Sequence, residues 1–156
     1  MTDADFIREA IAVSKESAAS GGYPVGTVIV HDGKIIAKGL SDGKRMHDGT
    51  SHAETAAIRE ASKVLGKRNL DDVVMYSSME PCVMCFAASF WAYIPRVVFA
   101  CGRSRVGVDY FEGNHDINAL NAASRRHIEL VHFKELEDEA FKVVEEWESG
   151  GASITS

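Results

Sequence analysis

The chain has 156 residues, of which 46% are hydrophobic and 26% charged, and its formal net charge is -6. This size and composition are typical of one globular domain with a buried core. No run of about eighteen apolar residues occurs, which excludes a membrane-spanning helix. Residues 1–5 carry acids where a signal peptide has basic residues, so we expect a cytoplasmic protein. The negative charge argues against a sequence-independent nucleic-acid binder.

Hydrophobic spacing divides the first third of the chain into a helix, a hairpin and a loop. Gly21 and Pro24 mark the end of the helix, because glycine suits a helix end and proline cannot continue one. Asp32-Gly33 between two β-branched runs predicts a tight hairpin turn. In chain order the pattern predicts a helix over 5–19, strands over 25–30 and 34–38, and a loop over 40–50.

Strands and helices alternate in the remainder of the chain. The pattern predicts helices over 52–65, 81–92, 118–125 and 135–148, strands over 73–76, 96–100 and 128–131, and an irregular segment over 102–114. Such alternation after a hairpin predicts a three-layer α/β/α sandwich around a five-stranded mixed sheet. We expect one domain over residues 1–148 and a disordered tail over 149–156.

Four residues at the starts of two predicted helices form the candidate chemical site. His52 and Glu54 open one helix, while Cys82 and Cys85 open the other and Pro81 precedes the first cysteine. Two thiolates and one imidazole suit a zinc ion and leave its fourth position open, as in catalytic sites. Glu54 is too close in sequence to His52 to bind the same metal face, but a carboxylate beside zinc-bound water can transfer protons.

The combination of the two segments is more specific than either alone. A lone pair of cysteines three residues apart also occurs in redox and structural zinc motifs. A structural zinc site would need a fourth strong ligand, and we assign the third cysteine, Cys101, to the core because it follows a buried strand. The joint pattern matches the signature of zinc nucleobase deaminases. The alternative is a coincidence of core cysteines with a surface histidine and glutamate.

The sequence resembles the cytidine deaminase-like superfamily, in the branch that includes cytosine deaminases, guanine deaminases and tRNA adenosine deaminases. The resemblance runs from about Phe6 to Trp147 and is carried by residues 24–30, 52–58, 80–85 and 94–99. It implies the cytidine deaminase-like sheet, one Zn²⁺ per chain, release of ammonia and a homodimer. It also implies substrate contacts from the backbone N–H groups of Ala53 and Cys82 and from the Glu80 carbonyl.

Ser41 departs from the family pattern. Members of this family usually carry asparagine two residues after the glycine that matches Gly39, and that amide contacts the ring edge. A serine hydroxyl makes fewer simultaneous hydrogen bonds than an amide, so Ser41 changes the expected substrate rather than the reaction. Serine in the segment Ser41-Asp42-Gly43 also fits a simple turn.

Three functions remain open from the sequence. In the first, the substrate is a free base, with cytosine ahead of guanine, and Asp109, Tyr110, Phe111 and Trp147 form a lid over the ring. Trp147 also fits plain core packing of an amphipathic helix. In the second, the substrate is adenosine in tRNA, which requires a basic surface. Basic pairs are available, but residues 145–148 of the last helix are acidic. In the third, the chain is a non-catalytic zinc domain.

Overall fold

The computed structural model describes residues 1–154, and its elements follow the predicted order. The helices are α1 Asp3–Ala19, α2 Gly43–Met46, α3 Ala53–Leu65, α4 Val83–Trp91, α5 Ile117–Ala123 and α6 Glu137–Ser149. The strands are β1 Tyr23–His31, β2 Lys34–Ser41, β3 Val73–Met79, β4 Arg96–Cys101 and β5 Glu129–His132. Single 3₁₀ turns cover Arg103–Arg105, Val108–Phe111 and Lys134–Leu136.

The five strands form one mixed sheet in the order β2-β1-β3-β4-β5. β1 is antiparallel to both β2 and β3, while β3, β4 and β5 are parallel to one another. The hairpin therefore supplies the antiparallel edge, and the parallel strands are joined by helical crossovers. This arrangement confirms the predicted sheet.

Helices cover both faces of the sheet and form two hydrophobic cores. On one face Val28 and Val30 pack in the core formed with α1 and α6. On the other face Ile29 packs in the core formed with α3, α4 and α5. Successive strand residues point to opposite faces, so β1 serves both cores. The three-layer sandwich predicted from the sequence is confirmed.

Gly39 allows α3 to approach β2 closely. A Cβ atom at this position would lie 1.9 Å from the Ala53 carbonyl oxygen and 2.7 Å from the Ala57 nitrogen. Both neighbours are helix backbone, which cannot rotate away as a side chain can. The missing side chain therefore fixes how close the first turn of α3 lies to the sheet.

Some local predictions differ from the structure. The predicted loop over 40–50 contains the end of β2 and the one-turn helix α2, and the irregular segment over 102–114 contains two 3₁₀ turns. Such short turns have too few residues for a recognisable period. The domain limits and the disordered tail stay predictions: α6 ends at Ser149, and residues 155–156 lie outside the described residues. Within residues 1–154 no helix is both long and apolar enough to cross a bilayer.

Candidate metal and catalytic site

The N-termini of α3 and α4 meet at the candidate site. His52 is the N-cap of α3 and Cys82 is the N-cap of α4, so both lie one position before the first helical residue. The His52 backbone N–H donates to Thr55 Oγ1 at 3.0 Å, which fixes the start of α3. Pro81 precedes the cap of α4 instead of lying in its first turn as we predicted. Two helix N-termini with exposed N–H groups favour negative charge at this point.

The three predicted ligand side chains converge on one another. His52 Nδ1 lies 3.5 Å from Cys82 Sγ and 3.5 Å from Cys85 Sγ, and the three atoms all lie within 4.8 Å of each other. Zinc–sulfur and zinc–nitrogen bonds at a tetrahedral angle would separate nitrogen from sulfur by about 3.6 Å. The donor set and its spacing therefore fit a zinc ion held by three protein ligands.

The two cysteines differ in their ionisation. The Cys85 thiol donates to Cys82 and lowers the pKa of Cys82 to about 4, although burial acts in the opposite direction. The pKa of Cys85 lies well above its ordinary value, because this contact and burial both favour its protonated form. The pKa of His52 is raised by its contact with Cys82. Without metal, the trio therefore holds one thiolate and one thiol.

Glu54 is a buried carboxylic acid beside these ligands. It lies in the first turn of α3, is 3% exposed and lines the same cavity as His52 and Cys82. Burial raises the pKa of Glu54, and the negative charge of Cys82 acts in the same direction. The Ser77 hydroxyl donates to Glu54 Oε1 at 3.3 Å. A carboxyl group with a raised pKa in a cleft is a candidate for proton transfer.

An open cavity of about 430 Å³ leads to the site. This volume is within the range of small-molecule sites. Its wall combines the start of β1, the end of β2, the segment around α2, the start of α3, the end of β3, the N-cap of α4 and the 3₁₀ turn Val108–Phe111. The lining residues are Tyr23, Val25, Ser41, Gly43, Lys44, His47, Asp48, Gly49, Ser51, His52, Glu54, Met79, Glu80, Cys82, Asp109, Tyr110, Glu112 and Ile154.

The cavity wall is acidic. In addition to Glu54 it contains Asp48, Glu80, Asp109 and Glu112, and Lys44 is the one lysine or arginine among the described lining residues. The Glu80 side chain is 10% exposed, and burial raises the pKa of Glu80 although Arg103 Nε lies 3.7 Å from its carboxylate. Such a wall accepts hydrogen bonds from ring N–H groups and repels phosphate.

The structure brings some of the predicted substrate-contacting residues to the cavity. Ser41, Glu80 and Asp109 line the wall, and Ser41 is 5% exposed at the end of β2. The Ser41 backbone N–H donates to Ser17 Oγ at 3.1 Å, which ties this end of β2 to α1. Ala53 is fully buried at the start of α3 and is not among the lining residues. Their contacts with a substrate stay predictions.

Phe111 and Trp147 do not lie on the cavity wall. The 3₁₀ turn directs Phe111 into the core beside α1 and α6, where it is 5% exposed. Trp147 makes a T-shaped contact with the Tyr23 ring, with ring centroids 5.8 Å apart, and Tyr23 lines the cavity whereas Trp147 does not. The predicted lid position is therefore corrected for both residues: Phe111 packs in the core, and Trp147 is half-buried beside Tyr23 and away from the cavity wall.

Several cavity residues were not predicted as site residues. Tyr23 lies just after the Gly21-Gly22 break, and Lys44 to Ser51 precede His52 in the polar segment that we read only as a loop. That segment lies directly before a metal ligand, and this position could have indicated that it forms part of the cavity wall. Ile154 also lines the cavity, and the Tyr23 hydroxyl donates to its carbonyl at 3.4 Å. Nothing in the sequence spacing indicates that contact.

Comparison with known proteins supports the resemblance. The family model for the cytidine and deoxycytidylate deaminase zinc-binding region matches residues 1–101. Guanine deaminase of Bacillus subtilis (strain 168) is 46% identical over 100 residues, which span 64% of this chain and 64% of that enzyme. A tRNA-specific adenosine deaminase of Buchnera aphidicola is 41% identical over 101 residues (64% of this chain, 62% of that protein). A probable cytosine deaminase of Schizosaccharomyces pombe is 39% identical over 99 residues (62% and 59%).

The fold is also shared with a solved structure of a relative. The crystal structure of guanine deaminase from Bacillus subtilis superposes with a TM-score of 0.69 at 33% identity, and the match covers 91% of this chain and 94% of that one. Each sequence match to the relatives above spans slightly less than two thirds of the relative's length.

Proposed function

Because the chain belongs to the cytidine and deoxycytidylate deaminase zinc-binding family, we propose that it is a zinc-dependent hydrolase that removes an exocyclic amino group from a nucleobase-type ring. One observation carries the proposal: three ligand atoms with zinc spacing meet beside the buried carboxyl group of Glu54 in a cavity. The reaction adds water to the ring, breaks the C–N bond and releases ammonia.

His52, Cys82 and Cys85 are the proposed zinc ligands. Zinc bound by three protein ligands supplies a water molecule whose pKa falls toward about 7. The low pKa of Cys82 means that this ligand is already ionised at neutral pH. The N-terminal position of Cys82 on α4 stabilises its negative charge.

Glu54 is the proposed proton carrier. Hydrolytic deamination moves both protons of the added water: one goes to a ring nitrogen as the water oxygen bonds to the ring, and the other goes from the added hydroxyl to the departing amine. A carboxyl group whose pKa is raised by burial can perform both the removal and the delivery near neutral pH. The Glu80 carbonyl is proposed to accept the amine, and the N–H groups of Ala53 and Cys82 are proposed to contact the ring.

A free base is the proposed substrate, with guanine ahead of cytosine. The order predicted from the sequence is reversed, since guanine deaminase of Bacillus subtilis is 46% identical over the matched region and the probable cytosine deaminase is 39% identical. Guanine also presents more ring and amino N–H groups than cytosine, which suits the acceptors Asp109 and Glu112 on the wall. Ser41 is proposed to bond the ring with its single hydroxyl.

Adenosine in tRNA is the second candidate, favoured by the 41% identity to a tRNA-specific adenosine deaminase. RNA backbone binding requires a basic surface around the pocket. The four acidic residues of the wall other than Glu54, set against Lys44, oppose this candidate. The non-catalytic zinc domain is the least supported reading, because Glu54 and all three ligands are retained.

Ammonia release from a substrate panel tests the proposal. The zinc-loaded protein is incubated with guanine, cytosine, adenosine and a tRNA anticodon stem-loop. We expect release from guanine and slower release from cytosine. Release from the stem-loop alone would favour the second candidate, and release from none with zinc bound would favour the non-catalytic domain.

A homodimer formed through α4 is proposed from its surface. Cys85, Phe86 and Ser89 are buried, but Trp91 is 75% exposed and Val83 is 37% exposed on the same apolar helix. Large exposed apolar side chains on one helix indicate a protein contact. Light scattering after gel filtration should give twice the chain mass, and Trp91→Glu should halve it. A monomeric unmodified protein would contradict the dimer.

A further inference from the structure

Two hydroxyl side chains lie in the sheet beneath Glu54. Thr27 on β1 and Ser77 on β3 are both 0% exposed. Earlier residues on this face of β3, Val73 and Met75, are apolar and pack in the core with α3 and α4. A hydroxyl buried in such a layer is unfavourable unless it is hydrogen-bonded. The partners of these two groups therefore indicate why the apolar pattern changes here.

The two hydroxyls form a directed chain that ends on Glu54. Thr27 and Ser77 are register partners on adjacent antiparallel strands. Thr27 Oγ1 donates to Ser77 Oγ at 3.3 Å, and Ser77 Oγ donates to Glu54 Oε1 at 3.3 Å. A hydroxyl has one proton to donate. Ser77 donates this proton to Glu54 and accepts the hydrogen bond from Thr27 through a lone pair. Hydrogen bonds in such a chain strengthen one another.

Metal binding makes the Ser77 contact more important. In the metal-free protein the Cys85 thiol also interacts with Glu54. As a metal ligand Cys85 would be a thiolate and would have no proton to donate. Among the described residues, Ser77 is then the hydroxyl group that donates a hydrogen bond to the Glu54 carboxylate.

We propose that Ser77 and Thr27 are positioning residues that fix the orientation of Glu54 for proton transfer. The inference rests on the proposed role of Glu54. Ser77 contacts Glu54 directly, and Thr27 acts through Ser77 by directing its proton. Correct placement of a proton-transfer group within hydrogen-bond reach governs its efficiency, and small displacements of reacting groups slow the reaction by about 100-fold.

Neighbouring residues on the same strand provide a matched control. Ser78 is 2% exposed, but its Oγ accepts from the Gly26 backbone N–H at 3.0 Å and has no contact with Glu54 among the described hydrogen bonds. Ser78→Ala therefore removes an equally buried hydroxyl one residue away. It reports the effect of a lost hydrogen bond in the sheet without a change at Glu54.

The test compares steady-state kinetics, zinc content and melting temperature of five zinc-loaded proteins. Ser77→Ala should lower kcat by about 10- to 100-fold with KM within about twofold and with zinc content unchanged. Thr27→Val should lower kcat by about threefold, whereas Thr27→Ser retains the hydroxyl and should restore the unmodified kcat. Ser78→Ala should keep the unmodified kcat and show only a lower melting temperature.

Two results would overturn the positioning role. One is a kcat of Ser77→Ala equal to that of Ser78→Ala. The other is an equal loss of kcat in Thr27→Ser and in Thr27→Val. If Ser77→Ala does not fold, the comparison of kcat between Thr27→Ser and Thr27→Val tests the positioning role instead. A crystal structure of zinc-loaded Thr27→Val gives a readout independent of turnover, since an unshifted Ser77–Glu54 hydrogen bond would also overturn the inference. Failure of the unmodified protein to release ammonia would instead reject the proposed function.

Discussion

Zinc loading of the ligand trio should release a defined number of protons. At pH 6 the zinc-free Cys82 is a thiolate, because its pKa is about 4. Cys85 is a thiol, since its pKa is raised well above the ordinary value, and His52 is largely protonated because its pKa is raised by Cys82. Zinc ligands must be deprotonated, so Cys85 and His52 each lose a proton, which gives about two protons per zinc at pH 6.

Calorimetric zinc titration in buffers of different ionisation enthalpy measures this number. The titration is best done on Glu54→Gln, because the pKa of Glu54 is also raised and its carboxyl group could add a proton to the count. At pH 6 the zinc-bound water contributes little, since its pKa is about 7. Raising the pH above the raised pKa of His52 should reduce the contribution of His52, because its imidazole is then neutral before zinc binds.

The measured number distinguishes three states of the free site. About two protons would support the unequal thiols described above. Release of about three would mean that Cys82 is protonated without metal, and release of about one or none would mean that Cys85, His52 or both have already lost the proton or do not bind the metal. Either of these results would contradict the ionisation of Cys82, Cys85 and His52 described for the zinc-free site.

Three further variants test how the fold supports the site. Gly39→Ala should lower the free energy of unfolding by about 3 kcal/mol and weaken zinc binding, because its Cβ would meet the α3 backbone. Gly107→Ala is the control in chemical denaturation, because a Cβ atom at Gly107 would have no neighbour within 4 Å. Asp3→Asn should lower the free energy of unfolding by about 1 kcal/mol at pH 7. The hydrogen bonds from Arg96 lower the pKa of Asp3. The contribution of this ion pair to stability is therefore fully present at pH values above the ordinary pKa of aspartate, and it is lost as the pH falls and Asp3 becomes protonated. Melting curves of both proteins should therefore converge in acid. His52→Ala should lose zinc, and a full zinc content by elemental analysis would contradict its role as a ligand.

Most of the fold could be predicted from local sequence patterns. The hairpin followed from Asp32-Gly33, and the turn residues Asp32 and Gly33 both have positive φ in the structure. Long helices were predicted within a few residues because many side chains share the helical period. The one-turn helix α2 was missed, since four residues contain too little of that period.

The ligands could be predicted because their spacing carries the chemistry, whereas the cavity wall could not. His52, Cys82 and Cys85 each lie at a helix start that the sequence marks, and the structure brings their ligand atoms together. The wall combines segments distant in sequence, such as Lys44 and Ile154, whose meeting depends on tertiary packing. Phe111 was misassigned for the same reason: an aromatic residue near a site suits a core and a lid equally well until its direction is known.

Ammonia release by Glu54→Gln, compared with the unmodified protein, tests whether Glu54 is the proton carrier of a zinc-dependent deamination. Both proteins are assayed with guanine and with cytosine at one zinc per chain. We expect Glu54→Gln to fold, to retain zinc and to lose at least about 100-fold in kcat, because the amide cannot transfer protons. Near-normal ammonia release by Glu54→Gln with zinc bound would contradict the assignment of Glu54 as the proton carrier.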